Sequence, residues 1–168
     1  MKIVSIIGTR PQYIKVKPIY DYCIANNLHH TIIDTNQHYS NDVSKKIIES
    51  LNINIDINLN AKGKNEIEFI SDTINKLQNI LTSIKNVFVL IYGDTNSAFA
   101  AALVCYKNNI KFAHIEAGAR CFDNKVPEEV NRVFIDTTAS INFCTSKRDC
   151  DNISNGVLCG DLEYELLK

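Results

Sequence analysis

A chain of 168 residues is long enough for one domain with its own core, and its composition, 45% apolar and 22% charged, is that of an ordinary globular protein. Its 18 basic and 19 acidic residues leave a formal net charge of -1, so no overall field favours nucleic acid or a membrane surface, and an anionic ligand needs a local site. Apolar runs are only strand-length, and Ile3 to Ile7 is too short for a signal sequence, so a cytoplasmic protein without a membrane span is expected.

Ile3 to Ile7 reads as a buried strand. Pro11 is placed to open a helix whose apolar positions run from Tyr13 to Ala25 at helical spacing. Thr31 to Ile33 is a second strand and Asp42 to Leu51 a helix. The polar stretch from Asn52 to Asn65 is expected to be a mobile loop. From Glu66 to Ile84, the residues Ile67, Ile70, Ile74, Leu77, Ile80 and Ile84 fall on one helical face. Asn86 to Tyr92 is the clearest buried strand, and Ser97 to Tyr106 is a helix of small residues suited to close packing on a sheet. Lys111 to Ile115 is a strand, Glu128 to Ile135 a helix, Ile141 to Cys144 a strand, Lys147 to Ser154 a helix and Val157 to Cys159 a last strand. Strands apolar on both faces, alternating with helices, predict an α/β fold with a Rossmann-like, doubly wound parallel sheet. The six cysteines form no Cys-x-x-Cys pair, and several sit in apolar patterns, so they are expected as reduced thiols.

In an open parallel sheet, ligands bind beyond the carboxyl ends of the strands. The distinctive polar motifs follow strands directly: Gly8-Thr9-Arg10-Pro11, Asn36-Gln37-His38, Gly93-Asp94-Thr95-Asn96, and Glu116 to Arg120 leading into Pro127-Glu128-Glu129-Val130-Asn131-Arg132. A glycine turn running straight into a helix offers backbone N–H groups to an anion, and Arg10 and Lys15 add positive charge, so phosphate or diphosphate contact is expected there. Each residue also has a plainer reading. Arg10 and Lys15 could be solvated charge, although phosphate contact is the favoured reading, Asp94 could be a helix N-cap, and Glu116 a carboxylate paired to Arg120 or Arg132. Glu128 and Glu129 read as complements to their own helix dipole, and His38 as a hydrogen-bonded loop histidine. Convergence on one rim favours a site.

The segments GTRPQYIKVKPI, NQHYSND, YGDTNSAFAAAL, HIEAGARCFDNKVPEEVNR and VLCGDLEYELL, in this order and spacing, resemble the non-hydrolysing UDP-N-acetylglucosamine 2-epimerases over the whole chain. The resemblance implies that residues 1–168 are the N-terminal Rossmann-like domain of a two-domain GT-B-type fold, whose C-terminal UDP-binding domain is absent from this chain. It implies interconversion of UDP-GlcNAc and UDP-ManNAc, or of a related modified UDP-2-acetamido sugar, by elimination of UDP and its re-addition. That chemistry takes a base on one face of the sugar, an acid on the other, and cations for the departing diphosphate. Asp94, Glu116 and Glu128 are implied as the acid/base set, with their faces unassigned. Arg10 and Lys15 are implied for the diphosphate, Arg132 to orient a carboxylate, and Gln37 and His38 to lie near the substrate. No cofactor and no metal is implied. The implied partners are a UDP-sugar and a C-terminal half or a second copy. Ala119 and Thr137 stand where relatives usually carry Leu and His.

Two other readings stay open: a truncated, non-catalytic nucleotide-sugar-binding domain, and half of a GT-B glycosyltransferase. The cluster of three carboxylates and the PEEVNR block favour the epimerase over the transferase.

Overall fold

The computed structural model describes residues 1–37 and 41–166. Its described strands form one parallel sheet of seven: β1 (Lys2–Ile7), β2 (His30–Asp34), β3 (Ile57–Asn58), β4 (Val87–Tyr92), β5 (Phe112–Ile115), β6 (Ile141–Cys144) and β7 (Gly156–Leu158). Their order across the sheet is β3-β2-β1-β4-β5-β6-β7. The chain therefore winds one way from β1 to β3, then returns beside β1 and winds the other way. The point where the order reverses, between β1 and β4, is where such sheets open a crevice for ligands.

Helices cover both faces because the strands are apolar on both. On one side, Val4, Ile6, Val89, Ile91 and Phe112 pack against α3 (Glu66–Leu81), α4 (Asn96–Lys107) and α5 (Pro127–Thr138). On the other, Ile7, Ile32, Tyr92 and Ile115 pack against α1 (Arg10–Ala25) and α2 (Asn41–Leu51). Two short helices, α6 (Lys147–Asp151) and α7 (Leu162–Glu165), finish the fold, and Leu162 of α7 packs against the α1 side. The alanines of α4 explain its central place: Ala98, Ala100, Ala101 and Ala102 are all buried, and their small side chains let the helix sit between α3 and α5. Among the described residues no helix is long and apolar enough to cross a membrane.

Two expectations need correction. The Asn52 to Asn65 stretch is not a loose connection. It carries the edge strand β3, whose Ile57 and Asn58 stand beside Ile33 and Asp34 of β2. The Asp56 carboxylate accepts from the Ile32 N–H at 2.8 Å, and Ile53, Leu59 and Ala61 are buried. The alternation Ile53-Asn54-Ile55-Asp56-Ile57-Asn58-Leu59 is a period-2 signal that the high polarity conceals. The second correction concerns α3. Its buried line runs through Phe69, Thr73, Leu77 and Leu81, with Ile74, Ile80 and Ile84 at its margin, and Ile67 is 75% exposed. Neighbouring α4 selects an i,i+4 row of α3, rotated from the isoleucine stripe.

The asparagine-rich composition has a structural use. Six asparagines, Asn27, Asn36, Asn52, Asn60, Asn86 and Asn109, adopt positive φ, several of them just past helix ends. Asparagine tolerates that left-handed conformation because its short side chain can bond locally.

Candidate functional site

The crevice between β1 and β4 is built from three strand ends in close contact. A Cβ at Gly8 would lie 2.0 Å from Thr35 Oγ1 and 2.7 Å from Ser97 Oγ, so only glycine fits between the β2 end and α4. Thr35 and Ser97 share a hydrogen bond of 2.6 Å, and Ser97 donates through Oγ to Gln37 Oε1 at 2.7 Å. Gln37 is thereby anchored at the N-terminus of α4, which also donates the Ser97 N–H to the same oxygen. His38 lies outside the described residues.

Gln12, absent from the sequence-based candidates, locks the first turn to the fourth strand. Its Oε1 accepts from the Gly8 and Thr9 N–H groups at 2.8 and 3.1 Å, and its Nε2 donates to Tyr92 O at 2.6 Å and Thr95 Oγ1 at 3.1 Å. This revises the anion reading of the turn. The Gly8 and Thr9 donors are already used, so an anion here would meet the Arg10 side chain rather than those N–H groups. Arg10 is exposed at the start of α1, between Thr9 and Pro11, which line the same cleft as Asp94.

Lys15 is neither a solvated charge nor an open phosphate ligand. At 9% exposure, its Nζ lies 2.5 Å from Glu116 Oε2 and 3.5 Å from Glu163 Oε1 of α7. Glu116 is therefore paired, but with Lys15 and not with Arg120 or Arg132. Its backbone has φ of +68°, a strained region for a residue with a side chain. Strain of this kind persists where neighbours fix the side chain, as Lys15 does here.

Asp94 is not the cap of α4. Thr95 takes that role, its Oγ1 accepting from the Ala98 N–H at 3.2 Å. The Asp94 carboxylate is left to Arg132, which reaches Oδ2 with Nε at 2.8 Å and its NH2 at 2.5 Å. Asn131 donates to the Asp94 carbonyl at 2.8 Å. Thr95→Ala is expected to destabilise the domain by about 1 kcal/mol in urea unfolding; an unchanged urea midpoint would show that Thr95 does not cap α4.

The adjacent glutamates of α5 divide their work. Glu129 is buried and accepts from the Cys121 and Phe122 N–H groups at 3.0 and 3.1 Å. Burial pushes its carboxyl up, but these N–H bonds and Arg132 outweigh that and hold it below the usual range. It ties down the loop before α5. Glu128 is exposed and lines the cleft, and among the described residues nothing pairs with its carboxylate.

The three carboxylates do not share one cavity, as the sequence led us to expect. Asp94 and Glu128 line a cleft of about 390 Å³ with Thr9, Gln37 and Glu66. Asp94 and Glu116 line an adjoining depression of about 160 Å³ with Arg132 and Thr145. Asp94 is common to both, and its ion-pair partner Arg132 lines the smaller one. The arrangement is a rim with Asp94 at its centre.

Behind the rim lies a buried network with no counterpart among the sequence-based candidates. His114 on β5 is 0% exposed. Its Nδ1 is 2.6 Å from Asp136 Oδ1, and its Nε2 is 2.8 Å from the Gly93 carbonyl. Asp136 Oδ2 accepts from the Gly118 N–H at 3.1 Å and from Arg120 at 2.6 Å. Burial pushes the Asp136 carboxyl up, but His114 and then Arg120 outweigh it and hold the group below the usual carboxylate range. A histidine in an apolar strand and an aspartate on a helix give no sequence signal that they meet.

Against known proteins, residues 23–157 match the family described as UDP-N-acetylglucosamine 2-epimerase. A UDP-N-acetylglucosamine 2-epimerase homolog of Methanococcus maripaludis is 40% identical, covering 99% of this chain and 48% of its own. The UDP-2,3-diacetamido-2,3-dideoxy-D-glucuronate 2-epimerase of Pseudomonas aeruginosa is 36% identical over 92% of this chain and 44% of its own. The crystal structure of Methanocaldococcus jannaschii UDP-GlcNAc 2-epimerase in complex with UDP-GlcNAc and UDP superposes with a TM-score of 0.90 at 37% identity, covering 96% of this chain and 47% of that one. The chain spans about half the length of the curated relatives it matches.

Proposed function

The chain belongs to the UDP-N-acetylglucosamine 2-epimerase family, and from that premise we propose that it is the catalytic-rim domain of a UDP-2-acetamido-sugar 2-epimerase. The observation that carries the reading is the rim itself: Asp94, Glu116 and Glu128 at the crevice where the strand order reverses, with Lys15 and Arg132 among them. UDP-GlcNAc, or a modified UDP-2-acetamido sugar of the kind named for the Pseudomonas relative, is the substrate class.

The C2 proton of such a sugar is too weakly acidic to leave alone. Its removal is coupled to departure of UDP from C1, and UDP then adds back while a proton arrives on the opposite face. A base and an acid on opposite faces meet this need. Asp94 and Glu116 each stand against a cation, which fixes where their oxygens point. Glu128 can take or release a proton without breaking an ion pair. Arg10, between the cleft-lining Thr9 and Pro11, is the cation for the departing diphosphate, since charge develops there as the C1–O bond breaks.

A complementary UDP-binding half completes the enzyme in this proposal. The chain covers about half of its relatives, and the cleft of about 390 Å³ is a groove along one domain. Uridine binding energy supplied by the other half helps drive the reacting centre. Incubated alone with UDP-GlcNAc, the pure chain is expected to give no UDP-ManNAc detectable by NMR, and mixing or joining it with a UDP-binding half from a relative restores turnover. Robust turnover by the chain alone removes the need for a second half. No turnover with the half supplied, despite UDP-sugar binding, supports a non-catalytic binding domain instead. A cytoplasmic location belongs to the same proposal, because the cysteines stand as free thiols, which suits a reducing compartment.

A further inference from the structure

We propose that His114 is a positioning residue: bearing hydrogen on both ring nitrogens, it ties the Gly93 carbonyl to the Asp136 carboxylate and so fixes the turn presenting Asp94 relative to the loop presenting Glu116. The inference rests on the reading of Asp94 and Glu116 as the reacting carboxylates.

The hydrogen-bond inventory carries it. A backbone carbonyl can only accept, so the 2.8 Å contact from Nε2 to Gly93 O requires hydrogen on Nε2. The 2.6 Å contact from Nδ1 meets a carboxylate whose other oxygen already accepts from Gly118 and Arg120. A carboxyl facing Arg120 and a backbone N–H from one side is an acceptor, so the hydrogen in the His114 contact belongs to Nδ1. A neutral imidazole offers one N–H and would leave one of these buried acceptors unmet, at the cost of its desolvation. The groups facing the ring are Asp136 from α5, Arg120 from the loop after β5 and the Gly93 carbonyl after β4. From β6, Asn142 stands beside His114 and donates to the Asp136 carbonyl. The nearby Cys144 thiol, pushed up to about 12 by burial and then by Cys150 and Asp136, brings no charge.

The consequence is geometric. The Gly93 carbonyl belongs to the peptide unit that leads into Asp94. Gly93 itself has φ of +63° and donates its N–H to Ile115 O at 2.9 Å. The N–H belongs to the Tyr92–Gly93 peptide and the carbonyl to the Gly93–Asp94 peptide, so the peptide units on both sides of the Gly93 Cα are held and Asp94 leaves the turn in one direction. On the other side, Asp136 holds the Gly118 N–H, two residues past Glu116. Gly118 is confined further by α6: a Cβ there would lie 2.1 Å from Asp149 O. Asp94 and Glu116 thus hang from one carboxylate, and His114 is the link to the first of them.

The test uses the chain as it stands, without substrate, so its outcome is independent of the epimerase reading. Long-range proton–nitrogen NMR correlations at pH 7 are expected to show hydrogen on both ring nitrogens of His114, slow to exchange with solvent. A ring with a single N–H overturns the proposal. Two replacements then separate positioning from bulk support. The His114→Gln amide nitrogen reaches the place of Nε2, and the His114→Asn amide nitrogen reaches the place of Nδ1. The Asn variant is expected to shift the amide resonances of Gly93, Asp94 and Thr95. The Gln variant is expected to leave those in place and to shift Gly118. Equal disturbance of both groups by both variants means that His114 only fills space, and the proposal fails. If either variant does not fold, the ring measurement on the unaltered chain still decides.

Discussion

Asp94→Asn, Glu116→Gln and Glu128→Gln, each made in this domain joined to the UDP-binding half of a relative, are expected to lower turnover by roughly a hundredfold or more, the scale of lost acid–base catalysis. Each replacement is nearly isosteric, so the domain stays folded. Thr95 still caps α4, Glu129 still holds the loop before α5, and Lys15 keeps Glu163 within 3.5 Å after Glu116→Gln. The informative readout is solvent deuterium entering at C2 of the sugar, because elimination and re-addition exchange that proton. Loss of exchange places the residue in the proton-transfer step. If all three variants exchange deuterium at the wild-type rate, the carboxylates are scaffolding and the mechanism proposed here is wrong. The ion pairs add a second expectation. Arg132→Ala frees the Asp94 carboxylate to swing away from the rim, so it lowers turnover even though it removes no carboxyl group.

Asp136→Asn is expected to destabilise the domain by about 3–5 kcal/mol near neutral pH, the range seen when one partner of a buried ionic network is removed. The side chains of Asp136 and Arg120 are 2% and 9% exposed, so water does not replace the lost charge. Its pH dependence has a definite sign. The folded-state carboxyl is held low, because His114 and Arg120 outweigh burial. Its contribution is therefore fully present above the unfolded aspartate value of about 3.9, and it is lost as the pH falls through the lower folded value. The stability gap between wild type and variant, from urea midpoints at unchanged slope, should narrow as the pH falls below about 4. A gap of the same size in acid would show that shape, rather than charge, sets the cost.

Local periodicity and composition determined a large part of this molecule. Strands apolar on both faces predicted the parallel sheet, and the polar motifs at strand ends predicted the edge on which Asp94, Glu116, Glu128 and Gln37 stand. Both depend on spacing along the chain, which the backbone converts directly into faces and edges. Partnerships were another matter. Whether Glu116 would meet Arg120, Arg132 or Lys15 depended on how α1 lies against β5, across a separation of 101 residues. The place of Arg120 against Asp136 was equally open until the loop from Gly118 was packed under α6. His114 reads in sequence as one more residue of a buried strand, and Gln12 as an ordinary helix position. Their roles exist only because β4, β5 and α5 close around the first, and because the turns after β1 and β4 close around the second. Side-chain pairing is a property of the assembled sheet and helices, where distance and burial select one partner from several that composition permits.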